Sequence, residues 1–538
     1  MAARSGGNHP DPGAPARRLD PYARPMPESP TADTGPAATV PAAGPRSSDT
    51  AVLVVVCLAQ FMVVLDISIV NVALPAIQQD LHFSAVGLQW VVTAYSLTFG
   101  GLLLLGGRLA DLFGRRRIFL FGLALFTASS LLGGFATNQA TLIAARCLQG
   151  VGAAVLSPAT LTILTVTFRE QRSRARAFGV WSAVAAGGGA AGALFGGILT
   201  QYLSWRWILF VNVPIGIALF VAARVRLQET RAEGPRQRLD IAGAATVTGA
   251  LFLLVYAISH TDSVPWTGTS TLVVLAASAA LLVGFVIIEA KVASHPLVPL
   301  RLFRIRSVTG ANLVMFCFGV GMFAMWFFLS LYLQQVLGYS PVVTGLTFLP
   351  QTLAIAVGAT LSGRLAPRLG PRNVLMIGAG LAAAGLYWLS FIQAGDSYWI
   401  GACGGGILAT FGMGLAFTPI ALLATGGVPT EEAGLASGLV NCSRQIGASV
   451  GLAALTTLAA SRTAALFGHP ATQVTPVGAR HAVDVALTEG FARAFLIASV
   501  VVLAGGLFGL LIPPPRPATG GDDRLVAAQS DTLVVVEG

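Results

Sequence analysis

The chain alternates between long apolar runs and short polar segments. From Ala51 onward the apolar runs are about 20 residues long, the length that an α-helix needs to cross a bilayer. We place them near residues 51–73, 88–107, 117–136, 140–162, 176–200, 207–223, 241–260, 271–290, 308–333, 343–363, 373–393, 400–423, 436–459 and 492–512. Non-helical backbone facing lipid would leave hydrogen bonds unmade, so each run is predicted to be a helix. The pattern predicts an all-α membrane protein with about fourteen transmembrane helices.

One segment between two runs recurs later in the chain. Residues 107–116 read GRLADLFGRR, and residues 363–372 read GRLAPRLGPR. Repeated halves around a central site are typical of transporters. We therefore predict two pseudo-symmetric six-helix bundles plus two extra central helices. The predicted division is a disordered cytoplasmic tail at 1–48, an N-terminal bundle at 49–225, a linker with the two extra helices at 226–306, a C-terminal bundle at 307–515 and a cytoplasmic tail at 516–538.

The positive charges lie in alternate connections between the runs. Arginines cluster after the second, fourth, sixth, eighth and tenth runs, at 115–117, 169–176, 224–238, 301–306 and 368–372. By the positive-inside rule these connections and both termini are cytoplasmic. Lys291 is the only lysine, and this arginine bias together with the alanine and glycine content is typical of a GC-rich bacterial genome. We therefore predict a multi-pass protein of the bacterial cell (inner) membrane.

Composition excludes several classes of protein. The chain is 54% hydrophobic and 10% charged, whereas soluble domains carry about 25% charged residues. The net charge of +10 does not indicate nucleic-acid binding, because the arginines lie in short clusters between membrane runs. The five cysteines are scattered through apolar stretches, so neither a metal site nor a disulfide framework is predicted. No P-loop or hydrolase motif occurs, and we predict no cofactor and no enzymatic activity.

Asp66 is an acidic residue inside the first apolar run. A carboxylate in a membrane span costs roughly 2.5–3.5 kcal/mol on insertion scales, and such residues usually face a cavity and serve a function. We interpret Asp66 as a proton carrier or a cation contact. The alternative is a packing group that is hydrogen-bonded to a neighbour such as Asn71 or a distant serine.

Arg146 begins the fourth run and needs a counter-charge or carbonyl partners there. It could adjust the proton affinity of an acid such as Asp66. The alternative is an arginine that extends its side chain to the membrane interface.

Three segments together resemble the major facilitator superfamily, in particular its fourteen-helix drug:proton antiporter branch. They are the repeated segment at 107–116, residues 146–152 (RCLQGVG) and residues 65–75 (LDISIVNVALP). A fourth segment, residues 188–197 (GGAAGALFGG), is similar to the antiporter signature, but Ala193 stands where that signature has proline. The resemblance covers roughly residues 50–515 and implies a functional monomer.

The resemblance also implies roles for individual residues. It implies a proton-transfer role for Arg146, beside Asp66 as the predicted coupling acid, and it assigns the first copy of the repeat to a cytoplasmic gate through Gly107, Asp111, Gly114, Arg115 and Arg116. Asp111 and Arg115 are spaced i, i+4 and can pair, and Asp111 could meet the positive N-terminus of a neighbouring helix. The alternative for this cluster is a solvated turn with anchoring arginines.

Glycines at four-residue spacing predict close helix contact in the fifth run. They are Gly188, Gly192 and Gly196, with Gly197 beside them. For the substrate cavity the candidates are Asn71, Trp90, Tyr95, Trp326 and Arg444, against the alternative that they are core or lipid-facing residues.

These observations predict a proton-coupled exporter of small amphipathic or cationic molecules, such as drugs or antibiotics. Its predicted partners are a small-molecule substrate, protons and the lipid bilayer. A dedicated exporter of a self-made natural product or a specific metabolite is the alternative. A membrane enzyme or a sensor without transport activity is the alternative from another class.

Overall fold

A computed structural model describes residues 47–231, 239–261, 264–429, 432–467 and 476–512. The predicted tails at 1–48 and 516–538 lie outside these residues, except for Ser47 and Ser48.

The described residues form fourteen helices that are long and apolar enough to cross a membrane, as the hydropathy pattern predicts. We number them α1 (Asp49–Leu81), α2 (Gly87–Phe113), α3 (Arg115–Gly134), α4 (Gln139–Thr167), α5 (Arg172–Tyr202), α6 (Trp207–Arg226), α7 (Ile241–His260), α8 (Thr269–Val292), α9 (Arg306–Val336), α10 (Pro341–Leu369), α11 (Pro371–Leu389), α12 (Trp399–Thr425), α13 (Ala433–Leu466) and α14 (Arg480–Leu511). Several extend past the predicted apolar runs, because polar residues at the ends continue the helix.

The sequence repeat is also a structural repeat. Gly114 separates α2 from α3 with a φ of 106°, and Gly370 separates α10 from α11 with a φ of 81°. Both glycine N–H groups bond to the carbonyl four residues earlier, on Ala110 at 3.2 Å and on Ala366 at 3.1 Å. Such φ values favour glycine, which lets each helix end sharply and the next begin at once.

Helix packing has the same pseudo-symmetry. In the first half α1 packs on α5, while α2 and α3 pack on α4; in the second half α9 packs on α13, while α10 and α11 pack on α12. Each pair therefore recurs eight helices later in the chain. The two extra helices are central in chain order, but they lie at the side of these packed helices.

Helix α7 touches both halves. It packs against α2 of the first half and α13 of the second, while α8 packs mainly against α7. A buried hydrogen bond of 2.6 Å joins Gln89 of α2 to Ser259 of α7, and Thr457 of α13 donates to the carbonyl of Ile258 at 3.3 Å. The α7–α8 hairpin therefore covers the junction of α2 and α13.

Helices α5 and α10 meet at one end only. At the end opposite to Gly114, a Cβ on Gly197 would lie 2.4 Å from the Pro341 carbonyl oxygen, and one on Gly345 would lie 2.4 Å from that of Ala193. Towards the end that carries the repeated segments, exposed Gly179 of α5 and exposed Gly363 of α10 have no neighbouring atoms that a Cβ would meet within 4 Å. We call the end with Gly114 and Gly370 the motif face. The α5–α10 contact is therefore closed at the opposite face and open towards the motif face.

Candidate functional site

Asp66 is fully buried in the middle of α1 and accepts three hydrogen bonds. Its Oδ2 lies 2.6 Å from Nη1 of Arg146. Its Oδ1 accepts from Nε2 of Gln149 and from Nδ2 of Asn212, both at 3.0 Å. Asn71, the expected neighbouring partner, instead donates to the Ile67 carbonyl of its own helix at 3.1 Å. Asp66 therefore joins α1 to α4 and α6.

Arg146 is 2% exposed, so the alternative of a side chain that reaches the membrane interface is wrong. Its Nε donates to the Val91 carbonyl at 2.9 Å, and its Nη1 also donates to Oε1 of Gln149 at 2.8 Å. The guanidinium carbon lies 4.5 Å from the centre of the Tyr95 ring, a cation–π contact. The predicted counter-charge is present, and it is Asp66.

Residues that the sequence analysis missed complete the network. Gln149 also donates to Oγ of Ser130 on α3 at 2.6 Å, and Gln149, Ser130 and Asn212 are all fully buried. Asn212 is an isolated amide inside an apolar run, which is the one signal that could have identified it. Its Oδ1 has no hydrogen-bond partner among the described residues. Five helices, α1, α2, α3, α4 and α6, therefore contribute atoms to one polar site.

The charge balance of this arrangement depends on both members of the ion pair. Two opposite charges out of water are tolerable only as a hydrogen-bonded pair, and removing one charge leaves the other uncompensated. Protonation of Asp66 would remove its negative charge and weaken its contact with Arg146. The arginine would keep its bonds to Val91 and Gln149, so the freed guanidinium could attract another anion or draw the helices into a different arrangement.

The first copy of the repeated segment, residues 107–116, forms a sharp, charged corner between α2 and α3 at the motif face. Asp111 and Arg115 pair at 3.3 Å across the break at Gly114. Asp111 does not cap the N-terminus of α3. Instead, the Glu229 carboxylate accepts hydrogen bonds from the backbone N–H groups of residues 116 and 117, at 3.3 and 3.2 Å. Arg116 donates to the Arg224 carbonyl. A connection after α6 therefore caps α3 and fixes the corner.

Two adjacent glycines of α2 have different surroundings. A Cβ on Gly107 would lie 3.6 Å from Cβ of Pro158, which is an ordinary contact. One on Gly106 would lie 2.1 Å from the Ala154 carbonyl oxygen, so Gly106 is the position where α2 approaches α4 closely. The sequence pattern singled out Gly107 alone.

The regularly spaced α5 glycines lie against the backbone of α1. Added Cβ atoms would lie 2.9 Å from the Phe61 carbonyl oxygen for Gly188, 2.8 Å from that of Leu65 for Gly192 and 2.7 Å from that of Ile69 for Gly196. Gly197 instead faces α10, as described above. Ala193, at the proline position of the antiporter signature, lies within a continuous helix and meets α10 through its carbonyl group.

The candidate cavity residues do not form one cluster. Tyr95 covers Arg146, and Arg444 lies within electrostatic range of Tyr95 while donating to Asn441 at 3.2 Å. Trp90 stacks on Phe252 of α7, with ring centres 6.2 Å apart. Trp326 meets Phe348 edge-on at 4.8 Å, and Asn71 bonds within α1 as noted above. Of the five, Tyr95 is the one with a direct contact to the Asp66–Arg146 pair, over the Arg146 guanidinium.

Comparison with known proteins identifies the family. The sequence profile described as the Major Facilitator Superfamily matches residues 56–452. The chain belongs to this superfamily. Members of this superfamily are membrane transporters, and with fourteen candidate spans the chain is a multi-pass membrane protein.

Two relatives cover most of the chain. A cephamycin export protein of Amycolatopsis lactamdurans is 46% identical over 427 residues, which cover 79% of this chain and 87% of the relative. A puromycin resistance protein of Streptomyces alboniger is 42% identical over 456 residues, which cover 84% and 90%.

A solved structure has the same fold. It is a bacterial homologue of the human lysosomal transporter Spinster in an inward-facing, unoccupied conformation. It is 17% identical, has a TM-score of 0.61 and covers 87% of this chain and 98% of that one. At this identity the likeness extends to the fold alone.

Proposed function

We propose that this chain is a proton-coupled secondary exporter of small amphipathic or cationic molecules, among them antibiotics. The observation that carries the proposal is the buried Asp66–Arg146 ion pair, which lies where α1, α4 and α6 meet. A carboxylate placed there can exchange a proton and thereby change the charge balance of the helix bundle. The export and resistance functions in the names of both relatives support the direction of transport.

The proposed cycle couples one charge change to alternating access. With Asp66 ionised, the pair holds α1 and α4 together and leaves no net charge in the apolar interior. When a proton neutralises Asp66, Arg146 keeps its carbonyl and amide partners but loses its counter-ion. The bundle then favours a different arrangement, in which substrate and proton occupy the site at different times.

The motif face is proposed to be cytoplasmic. Its arginines follow the positive-inside rule, which places both termini in the cytoplasm of a bacterial cell and the chain in the inner membrane. The opening between α5 and α10 then admits substrate from the cytoplasm. The corner of Asp111, Gly114 and Arg115 is proposed to gate this side. We also propose that the chain divides into an N-terminal bundle at 49–225, a linker with the two extra helices at 226–306 and a C-terminal bundle at 307–515. The proposed functional unit is a monomer.

Transport in inside-out vesicles tests the function. Vesicles that contain the protein should accumulate a fluorescent lipophilic cation when respiration acidifies their interior, and an uncoupler should release it. Asp66→Asn should reduce accumulation to the level of uncoupled vesicles at equal protein content, because the amide cannot exchange a proton.

Asp80→Asn is the matched control. Asp80 lies on the same helix and pairs with Arg206 at 2.9 Å, but its side chain is 45% exposed. It should transport like the wild type. If Asp66→Asn retains proton-driven accumulation, Asp66 is not the coupling acid; if the wild type accumulates nothing, multidrug export is wrong.

A dedicated natural-product exporter is the second candidate. It is favoured by the names of the relatives, since each refers to one antibiotic. A panel of unlabelled antibiotics, added as competitors in the same vesicles, separates the two. Competition by one scaffold alone supports a dedicated exporter, and competition by several supports multidrug export. An enzyme or a sensor without transport would produce no uncoupler-sensitive accumulation.

A further inference from the structure

Two acidic side chains lie at the two ends of the α7–α8 hairpin that meet at the motif face. Asp240 precedes α7 and is 8% exposed, and Glu289 lies near the end of α8 and is 4% exposed. Each carboxyl group uses one of its oxygens to accept a hydrogen bond from a backbone N–H group. Oδ1 of Asp240 accepts from the N–H of Gly243 at 2.7 Å, and Oε2 of Glu289 accepts from the N–H of Val298 at 3.1 Å.

The other oxygen of each carboxyl group is buried without a donor. Oδ2 of Asp240 and Oε1 of Glu289 have no hydrogen-bond partner among the described residues. The last turn of α8, which carries Glu289, packs against α7, and this places the two carboxyl groups close enough to act on each other electrostatically. Two carboxylates are both acceptors, so a bond between them requires a proton on one of them. A buried pair of like charges at this distance otherwise repels.

The charge of the cluster leads to the same conclusion. Arg108 of α2 donates to the backbone carbonyls of His295 and Pro296, and its positive charge acts on both acids. One guanidinium balances one carboxylate. The second acid is therefore neutral when a single proton is bound, which leaves the buried cluster without net charge.

Within the part of the chain that the structure describes, the other charged groups near these elements are engaged elsewhere or exposed. Arg301 pairs with Glu432, and the exposed His295 ring bonds with Ser294. Lys291 is exposed on the last turn of α8. Arg236 and Arg238, which precede Asp240 in the sequence, lie outside the described residues.

We propose that Asp240 and Glu289 bind one proton between them and form a proton site that is separate from Asp66. In the bound state the Glu289 O–H donates to the Asp240 carboxylate and holds the two ends of the hairpin together. Loss of the proton creates two facing carboxylates, which repel each other and move the end of α8, with the Val298 backbone that Glu289 holds, away from Asp240. The loop that accepts Arg108 is then released, so proton binding controls the attachment of the end of α2 to the hairpin.

This inference goes beyond the proposed export function, because proton binding can be measured without transport. The experiment is pH-difference infrared spectroscopy on the purified full chain in lipid bilayers. The wild type should show a carboxylic-acid C=O band that disappears as the pH is raised and that is distinct from the band of Asp66. Glu289→Gln and Asp240→Asn should each lack it, since the remaining acid is then balanced by Arg108. Asp66→Asn should retain it, which separates this site from the proposed coupling acid.

Two further variants guard against a folding defect. Arg108→Gln should retain the band to a higher pH than the wild type, because loss of the positive charge favours the protonated acid, and a merely structural role would not produce this shift. Glu432→Gln, at another arginine-paired acid near this face, should leave the band unchanged. Persistence of the band in both Glu289→Gln and Asp240→Asn would overturn the proposal, as would a band that is lost only in Asp66→Asn.

Discussion

At the scale of single residues, the Asp66–Arg146 pair combines two charges that the membrane interior would not accept separately. Both side chains are at most 2% exposed, so water cannot compensate either one. Truncation of one member of such a buried pair typically costs about 3–5 kcal/mol, because the other charge remains unpaired. An exposed pair contributes about 0–1 kcal/mol.

This difference gives a prediction about stability. Arg146→Leu should lower the thermal unfolding midpoint of the purified protein strongly, and the double variant Asp66→Asn/Arg146→Leu should recover much of the loss. The physical reason is that the double variant leaves no uncompensated charge. The midpoints are measured by thermal unfolding in detergent, followed by near-ultraviolet absorbance or light scattering.

The exposed Asp80–Arg206 pair, in the same half of the protein, serves as the control for the buried Asp66–Arg146 pair. Arg206→Leu should change the midpoint only slightly, because the Asp80 carboxylate can be hydrated. A double variant at the buried pair that is less stable than Arg146→Leu alone would contradict the argument.

At the scale of elements, α5 has two different environments along its length. Gly192 lies directly against α1, where an added Cβ would be 2.7 Å from Cβ of Ser68 and 2.8 Å from the Leu65 carbonyl oxygen. Gly187, five residues earlier, is exposed and has nothing within 4 Å. The same substitution at the two positions therefore tests packing separately from helix propensity.

We predict that Gly192→Ala destabilises the protein by about 1–3 kcal/mol, since the backbone of α1 must move to admit the methyl group. Gly187→Ala should be neutral or stabilising by about 0.5–1 kcal/mol, because alanine favours the helix. Thermal unfolding of the two purified variants compares them directly. Equal effects at both positions would show that close packing of α5 on α1 is unimportant.

At the scale of the whole molecule, the α5–α10 contact is closed at one face and open at the other. Gln201 of α5 accepts from the N–H of Val342 at the closed end, at 3.1 Å. Gly179 of α5 and Gly363 of α10 lie towards the motif face and have no neighbours that a Cβ would meet within 4 Å. Alternating access requires the closed end to open during each cycle.

Cross-linking tests this requirement. In a background without the five native cysteines, Gln201→Cys/Val342→Cys should cross-link with a short bifunctional thiol reagent and stop transport. A reagent with a cleavable bridge should restore transport on reduction. Gly179→Cys/Gly363→Cys is the matched pair and should cross-link poorly in the absence of substrate. Full transport by the cross-linked Gln201–Val342 protein would contradict alternating access through this contact.

Much of the architecture followed from the sequence alone. Hydropathy is a local property, so each apolar run identified one of the fourteen helices without knowledge of its neighbours. The repeated segment also identified the duplicated halves, because Gly114 and Gly370 both occupy a conformation that favours glycine. Asp66 and Arg146 were recognisable because charges inside apolar runs are rare.

The partners of those residues depended on tertiary structure. Asn212 is 146 positions from Asp66 in the chain, and nothing local in either run indicates that the two side chains meet. Likewise, Glu229 rather than Asp111 caps α3, and Trp90 faces α7. Sequence spacing fixes which residues share a helix face, whereas packing between distant helices decides what each face touches. The helices and the charged residues were therefore determined by the sequence pattern, and the hydrogen-bond partners of the buried charges by how the helices assemble.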